Sequence, residues 1–398
     1  MSHPISQRST RVQQAISPFF EFFTTSTFAR HEGDPNTNNF VFGNPHEMPL
    51  PGFVNALQQH LVPQNKDWFA YKLNEASSQE TVAASLKEWR GVNFDPQDIF
   101  MTNGGFAAIS LSISVLTDPG DEVIFISPPW FFYEGIIVNH GAVPVRVKVH
   151  PKTLGLDLDA IAAAITSRTR AIIINSPNNP TGLIYQPDDL KALADILTKA
   201  SERNGRTIYL LSDEAYSRII FDNQPYYSAT DYYPNSLLLY TYGKTMLTPG
   251  QRIGYIALPP TMPDREPLRI AFMGSQVISG WSFPNALLQH ALPDLEKVSI
   301  DIPHLQKKRD RLVSALQHSG YDVHVPQGTF YLLPKSPWHD DWAFTELLAE
   351  HNIFVLPGKV VELPGYFRIS LTANDQMIES AIPGFAAAMA HARTSLPV

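Results

Sequence analysis

Cysteine is absent from the 398-residue sequence. Without thiols the chain can form no disulfide, no thiolate zinc site, no iron–sulfur cluster and no cysteine nucleophile. Charged residues are scarce as well, at 17% against roughly 25% in an average protein. No uninterrupted apolar run approaches the roughly 18 residues of a membrane span. The composition therefore predicts a compact, soluble protein whose catalysis uses groups other than thiols.

Positive charge is also limited, and no basic block occurs along the chain. Lysine and arginine number 30 against 38 aspartates and glutamates, for a net charge of −8. Such a balance argues against nucleic acid or an anionic membrane as a partner. The 13 histidines are scattered without metal-ligand spacing, so no metal site is predicted. We expect a cytoplasmic protein that acts on small molecules.

Alternating short β-rich runs and helical stretches occupy the middle of the chain. The predicted strands cover residues 122–126, 143–149, 170–175, 207–212, 237–241 and 253–258. Helices are predicted between them, for example over 106–116 and 187–200. This alternation is typical of an α/β fold with a mainly parallel sheet flanked by helices.

The texture changes near residue 291, where a charged helix opens a region of short strands and further helices. Predicted helices cover 302–319, 343–351 and 375–392, and predicted strands cover 321–325, 329–333, 353–356 and 367–371. We expect an N-terminal arm with part of the small domain over 1–48, a large domain over 49–290 and a small α+β domain over 291–398.

Four polar segments follow predicted strands, where ligands bind in open parallel sheets. They are 103–106 (Asn-Gly-Gly-Phe), 175–182 (Asn-Ser-Pro-Asn-Asn-Pro-Thr-Gly), 212–216 (Ser-Asp-Glu-Ala-Tyr) and 240–244 (Tyr-Thr-Tyr-Gly-Lys). Each alone is compatible with an ordinary turn or helix cap. Together with Arg252 they bring a lysine, an acid and an arginine to neighbouring strand ends, which indicates a functional site.

These motifs resemble those of the pyridoxal-5′-phosphate-dependent class I/II aminotransferases of fold type I. The resemblance rests on Asn-x-Pro-x-Asn-Pro-Thr-Gly at 175–182, Asp-Glu-x-Tyr at 213–216 and Lys-x7-Arg-x-Gly at 244–254. It runs in order over most of the chain. The family implies an enzyme of amino acid metabolism that works as a homodimer with shared active sites. It also implies that the sheet is of the seven-stranded type and that the large domain over 49–290 binds pyridoxal 5′-phosphate.

The resemblance assigns roles around the cofactor ring. Lys244 would form the Schiff base and move the α-proton, with Asp213 pairing to the pyridine nitrogen. Asn179 and Tyr216 would hydrogen-bond to the phenolic oxygen of the ring. Trp130 would stack on the ring face. Lys244, Asp213 and Tyr216 are therefore the predicted catalytic residues.

The resemblance also assigns a phosphate site. Backbone amides of Gly105 and Phe106, the Thr241 hydroxyl and the Arg252 guanidinium match the phosphate cup of the family. Tyr71 is similar to the tyrosine that reaches the phosphate from the partner subunit. Phe106 departs from the family pattern, because relatives usually carry a hydroxyl there, so one phosphate contact is expected to be lost.

Substrate recognition is assigned to three residues. Arg368 matches the arginine that binds the substrate α-carboxylate with a bidentate fork. Gly43 resembles the glycine whose backbone lies against that carboxylate, and Asn179 contributes as well. The side-chain pocket is left open: aromatic residues favour an apolar substrate, whereas Arg30, Lys72 or Lys359 could serve a second carboxylate. The aromatic residues are Phe19, Phe20, Phe22, Phe23, Trp130, Phe131, Phe132 and Tyr133.

Transamination between an L-amino acid and a 2-oxo acid is the leading hypothesis. The alternative is another reaction of the same cofactor and fold, such as C–S β-elimination, or oxidation or cyclisation of a side chain such as a guanidino group. A cofactor-sensing DNA-binding regulator is a third class, but the segment before Gly43 has no helix-turn-helix pattern.

Overall fold

The fold is described by a computed structural model that covers residues 4–395. Its strands are β1 (Asn38–Asn39), β2 (Ile99–Thr102), β3 (Glu122–Ser127), β4 (Val143–Lys148), β5 (Thr169–Asn175), β6 (Tyr209–Asp213), β7 (Ser236–Thr241), β8 (Gly254–Ala257), β9 (Tyr331–Leu332), β10 (Ile353–Phe354), β11 (Leu356–Pro357) and β12 (Phe367–Ser370). Seven strands form the central sheet in the order β2-β8-β7-β6-β5-β3-β4. Only β8 runs antiparallel to its neighbours in that sheet. The predicted α/β class is confirmed.

Helices surround this sheet and build the C-terminal part. They are α1 (Gln7–Ala15), α2 (Ser17–Thr25), α3 (Thr27–Arg30), α4 (Pro51–Leu61), α5 (Ala76–Arg90), α6 (Gly104–Leu116), α7 (Tyr133–Asn139), α8 (Leu158–Ala164), α9 (Pro187–Asn204), α10 (Tyr242–Thr245), α11 (Arg265–Ser279), α12 (Ala286–Leu295), α13 (Ile302–Ser319), α14 (Asp341–Glu350) and α15 (Asp375–Thr394). Within residues 4–395, none has the length and apolarity needed to cross a bilayer.

Local sequence explains where the long helices begin and end. Helix α9 starts on a proline, has Asp188 and Asp189 in its first turn, and ends at Gly205 with φ +59°. Helix α13 starts at Asp301, whose side chain accepts a hydrogen bond from the His304 amide. Acids favour the positive end of a helix, and a glycine accepts the left-handed conformation at its end. The start of α9 was predicted from Pro187 and the two acids, whereas α13 was predicted from its charged sequence without reference to the Asp301 cap.

The central strands are apolar because helices cover both faces of the sheet. Every residue of β3 and β7 is buried, and so is every residue of β6 after Tyr209. One face packs on α6 and α7. The other face packs on α8 and α9 at one side and on α4, α5 and α12 at the other. This double cover leaves the carboxyl ends of the strands as the place where polar groups gather.

The C-terminal part is built on a small antiparallel sheet in the order β11-β12-β9. Its strands are shorter than predicted, and β9 stops two residues before Pro334, which has no N–H for the ladder. The strand predicted over 321–325 is not formed. Its alternating pattern reflects the burial of Tyr321 and Val323, while the Val323 carbonyl accepts from the Gln317 side chain instead of a strand.

The N-terminal residues pack on this C-terminal part. Strand β1 pairs in parallel with β10, and Phe22 and Phe28 share a buried cluster with Phe354. We propose that these residues and the C-terminal part form one small domain. The predicted boundary at 290/291 falls inside α12, whose Leu288 and Leu292 pack beneath the central sheet, so we propose that the large domain extends to the end of α12.

Gly254 allows three strands to meet beside the start of α6. A Cβ atom there would overlap the carbonyl oxygen of Tyr240 and lie 3.1 Å from the carbonyl carbon of Gly104. We predict that Gly254→Ala lowers the free energy of unfolding by about 1–3 kcal/mol, because backbone must move to relieve the overlap. Urea unfolding measures this change.

Gly250→Ala is the matched control, since no atom lies within 4 Å of the Cβ position there. Its free energy of unfolding should stay within about 0.5 kcal/mol of the wild type. Equal stabilities for the two variants would contradict the close approach at Gly254.

Candidate functional site

A cavity of about 200 Å³ lies at the carboxyl edge of the central sheet. Its lining residues are Gly105, Phe106, Ile109, Trp130, Phe132, Asn175, Asn179, Asp213, Ala215, Tyr216, Thr241, Gly243, Lys244, Pro249 and Arg252. Because β5, β6 and β7 are parallel neighbours, the segments that follow them meet at this edge. The fold thus brings together every residue predicted to bind the cofactor except Tyr71.

One end of the cavity is rich in hydrogen-bond donors. Arg252 donates to the Pro249 carbonyl at 2.6 Å, and no carboxylate within residues 4–395 forms an ion pair with it. Burial lowers the pKa of Arg252. Helix α6 begins beside it, and its N-cap residue Asn103 makes no side-chain capping bond. Amides of the first turn, the Thr241 hydroxyl and a desolvated guanidinium suit a phosphate group, so this end fits pyridoxal 5′-phosphate.

Asp213 is a buried carboxylate in the centre of the site. Its Oδ2 accepts a hydrogen bond from the Tyr133 hydroxyl at 2.5 Å, and its Oδ1 accepts from the Ala215 amide at 3.2 Å. Burial raises the pKa of Asp213, while these hydrogen bonds and the charge of Lys244 oppose the rise. A carboxylate held in this way is suited to pair with a protonated ring nitrogen.

Lys244 lies in α10, directly after β7. Its Nζ atom is 5.4 Å from the ring centroid of Tyr216 and 5.5 Å from that of Phe330. Tyr216 is itself buried, and burial raises the pKa of its hydroxyl well above the ordinary value. The hydroxyl therefore remains protonated near neutral pH, and hydrogen bonding to the Tyr331 hydroxyl adds to the rise.

Arg368 lies behind the cavity and is almost fully buried. It donates to the Asn179 side-chain oxygen at 3.1 Å and to the Val41 carbonyl at 3.0 Å. The backbone N–H of Asn179 in turn donates to the Asn175 side-chain oxygen, and the Asn175 side chain donates to the Asp213 carbonyl. Among the described residues, the Nε–H group of Arg368 has no hydrogen-bond partner. One hydrogen-bonded chain thus connects Arg368 to Asp213 and leaves guanidinium donors for a carboxylate.

Gly43 lies next to this arginine on the N-terminal segment. A Cβ atom at Gly43 would be 2.5 Å from a ring carbon of Phe330 and 2.9 Å from the Tyr331 hydroxyl. Both distances are shorter than van der Waals contact. Only glycine therefore lets this backbone approach the two rings.

Aromatic rings form one wall of the cavity. Trp130 meets Phe106 edge to face with ring centroids 4.8 Å apart, and it meets Phe132 in the same way at 5.3 Å. Phe19 of α2 stacks on Phe131 at 4.7 Å and contacts Phe132 at 5.1 Å. Phe19 of the N-terminal arm thus packs against this wall, while Phe22 of the arm packs with Phe354 of the C-terminal part.

The cations left open for a second carboxylate lie elsewhere. Arg30 donates to the Thr27 hydroxyl, Lys72 pairs with Glu75, and Lys359 lies against the Trp342 ring. None of them lines the cavity. Within residues 4–395, its only cationic lining residues are therefore those predicted to bind the cofactor.

Tyr71 is not brought to the cavity of its own chain. Its side chain is fully exposed. The segment that carries it is attached to α11 by paired side-chain hydrogen bonds between Asn74 and Gln276. Its predicted contact with a phosphate therefore requires a second subunit.

Two residues of the site were not assigned a role from the sequence. Tyr133 was noted only as part of an aromatic run, although its hydroxyl binds Asp213. Tyr331 lies over Arg368, with the guanidinium carbon 4.1 Å from its ring centroid. No sequence signal marks Tyr331, because its position depends on the pairing of two-residue β9 with β12.

The chain matches known aminotransferases over nearly its whole length. The family model for aminotransferase class I and II matches residues 36–384. A probable aspartate/prephenate aminotransferase of Thermus aquaticus is 28% identical over 352 residues, which are 86% of this chain and 89% of the relative.

Solved structures agree with this result. An aminotransferase from Eubacterium rectale has a TM-score of 0.89 at 28% identity, covering 98% of this chain and 99% of its own. Aspartate aminotransferase from Thermotoga maritima has a TM-score of 0.82 at 25% identity, covering 96% and 99%. These similarities favour transamination over elimination, oxidation or cyclisation. The chain therefore belongs to the class I and II aminotransferases and is a pyridoxal-phosphate-dependent transaminase.

Proposed function

We propose that this transaminase moves the amino group of an L-amino acid with an aromatic or other large apolar side chain to a 2-oxo acid, and that it works as a cytoplasmic homodimer. The observation that carries the substrate assignment is the aromatic wall of Phe106, Trp130, Phe131 and Phe132 beside the cavity. The roles of individual residues follow from their positions around that cavity.

Lys244 is the proposed base. Bound pyridoxal 5′-phosphate supplies an aldehyde that links to amino groups and a ring that accepts electrons from the α-carbon. The Lys244 amine lies at the cavity wall near the rings of Tyr216 and Phe330, where it can take the α-proton and return it. Asp213 supplies the negative charge for the ring nitrogen. The side-chain oxygen of Asn179 already accepts a hydrogen bond from Arg368. The side-chain NH₂ group of Asn179 therefore remains to donate into the cavity.

Replacing the base should abolish the reaction. We predict that Lys244→Ala lowers the transamination rate by at least roughly 10³-fold, because the covalent link and the proton transfer are both lost. Borohydride should no longer fix the cofactor to the chain, which mass spectrometry of the intact protein measures.

Lys297→Ala is the control, since this lysine is exposed and remote from the cavity. It should retain wild-type rate and cofactor fixation. Fixation that persists in Lys244→Ala would assign the covalent link to another lysine.

The substrate side chain is proposed to lie against the aromatic wall. The α-carboxylate would take the remaining donors of Arg368, which positions the side chain toward rings that offer no cation. An aspartate side chain would lose hydration there without a charged partner. Aspartate nonetheless belongs in any test, because relatives carry that name.

A donor panel tests this assignment. We predict that kcat/KM for phenylalanine exceeds that for aspartate by at least about tenfold, the ratio that corresponds to about 1.4 kcal/mol. Phe106→Ala should lower kcat/KM for phenylalanine by roughly 10- to 100-fold through lost apolar contact.

The matched comparison is alanine as donor, whose methyl group does not reach the wall. Its kcat/KM should change by less than about threefold in Phe106→Ala. A wild-type preference for aspartate would refute the aromatic assignment while leaving the transaminase activity in place.

An exposed apolar face supports the homodimer. Helix α11 exposes Ile270, Val277 and Ile278, the last to 88%. Phe69 and Tyr71 are exposed on the neighbouring segment that Gln276 of α11 holds. Apolar patches of this kind mark protein interfaces. A twofold axis through this face would bring Tyr71 to the phosphate end of the other subunit.

An acidic residue in this face should separate the subunits. We predict that Ile278→Asp shifts the protein to monomer at micromolar concentration, since a buried charge without a partner opposes association. Analytical ultracentrifugation measures the shift. Val325→Asp, at an exposed position away from α11, should keep the wild-type mass; a dimer that survives Ile278→Asp would place the interface elsewhere.

A further inference from the structure

The pairing of β9 with β12 places Tyr331 beside Arg368. The two strands are antiparallel, and Tyr331 lies opposite Ser370. Arg368 is two residues before Ser370 and therefore shares its face of the sheet, as a diagonal neighbour of Tyr331. The guanidinium carbon lies 4.1 Å from the ring centroid of Tyr331. Phe131 lies on the guanidinium as well, at 6.0 Å.

Arg368 has no ionic partner within residues 4–395, which is unusual for a buried charge. Its neutral acceptors, Asn179 and the Val41 carbonyl, hold the two terminal nitrogens. The charge is only 1% exposed. A desolvated guanidinium is stabilised by an aromatic face, and the ring of Tyr331 is in the closest aromatic contact with it. The ring therefore packs on the planar Arg368 guanidinium and leaves its remaining N–H donors free to bind a carboxylate.

We propose that Tyr331 is a positioning residue for the substrate α-carboxylate: its ring holds the Arg368 guanidinium in the plane that receives the carboxylate. This inference rests on the proposed role of Arg368. Tyr331 acts through the arginine and sets how tightly any substrate with an α-carboxylate binds, whichever side chain that substrate carries.

The Tyr331 hydroxyl has a separate environment. It lies near Gly43 and faces Tyr216, with the two ring centroids 6.0 Å apart. Burial alone would raise the pKa of this hydroxyl, but the charges of Arg368 and Lys244 bring it below the ordinary value. Because the hydroxyl lies in the ring plane and the guanidinium lies over the ring face, Tyr331→Phe removes the hydroxyl and keeps the face that contacts Arg368.

The experiment compares substrates with and without a carboxylate. The holoenzyme is mixed in single turnovers with phenylalanine or 2-phenylethylamine, and in parallel with alanine or ethylamine, so that the result does not depend on an aromatic preference. We expect Tyr331→Leu to lower the ratio of kcat/KM for each amino acid over its amine by roughly 10- to 100-fold. Tyr331→Phe keeps the aromatic face and should hold the ratio within about threefold of the wild type.

A binding measurement provides a readout without turnover. The dissociation constant of 3-phenylpropionate should rise about tenfold in Tyr331→Leu, whereas that of 3-phenylpropanamide should not. Calorimetry with the holoenzyme measures both. If Tyr331→Leu does not fold, Tyr331→Met replaces it, because methionine has a volume similar to that of leucine and also lacks an aromatic face. The same lowered ratio and raised dissociation constant are expected for Tyr331→Met.

Arg368→Met separates this inference from the proposed function. Equal losses for amino acid and amine in Tyr331→Leu would mean that the ring only packs, which overturns the inference. If Tyr331→Leu leaves the ratio of kcat/KM for amino acid over amine unchanged while Arg368→Met lowers it, the inference is also overturned. The proposed role of Arg368 then stands. An unchanged ratio in Arg368→Met overturns both.

Discussion

The burial of the Asp213 carboxylate is the constraint on which the rest of the site depends. A charge at the end of a buried strand needs hydrogen bonds and an opposite charge nearby. Tyr133 and the Ala215 amide provide the hydrogen bonds. Lys244 provides the charge. The parallel arrangement of β5, β6 and β7 makes this possible, because it brings the ends of three strands to one edge and keeps water from their middles.

The two ends of the site differ in the groups that surround their cations. At the phosphate end, the first turn of α6 and the buried Arg252 guanidinium offer hydrogen-bond donors and positive charge that suit an anion. At the substrate end, Arg368 is buried with neutral acceptors and aromatic faces instead of an acid. Both cations are therefore prepared for anionic groups that arrive with cofactor and substrate. The aromatic wall between them offers apolar surface to a side chain.

Much of the large domain was predictable because its signals are local. The apolar strand runs and the proline and acids at the start of α9 lie within a few residues of the elements they define. The C-terminal part was less predictable. The alternating burial of Tyr321 and Val323 produced the sequence pattern of a strand, although no strand forms over 321–325. Strand β9 is shorter than predicted, because Pro334 cannot donate to the ladder. Alternating burial specifies which residues face the core, whereas pairing depends on where the partner strand lies.

The sequence by itself determined that Asn179, Asp213 and Lys244 come shortly after predicted strands, and the resemblance to the aminotransferases gave these residues and Arg252 their expected roles. Only the tertiary structure decided how these groups are supported. Tyr133 bonds to Asp213 from 80 residues away, and Tyr331 reaches Arg368 through a two-residue strand pair. Such contacts leave no local pattern, because a side chain that packs on a charge looks like any other buried aromatic until the chain folds.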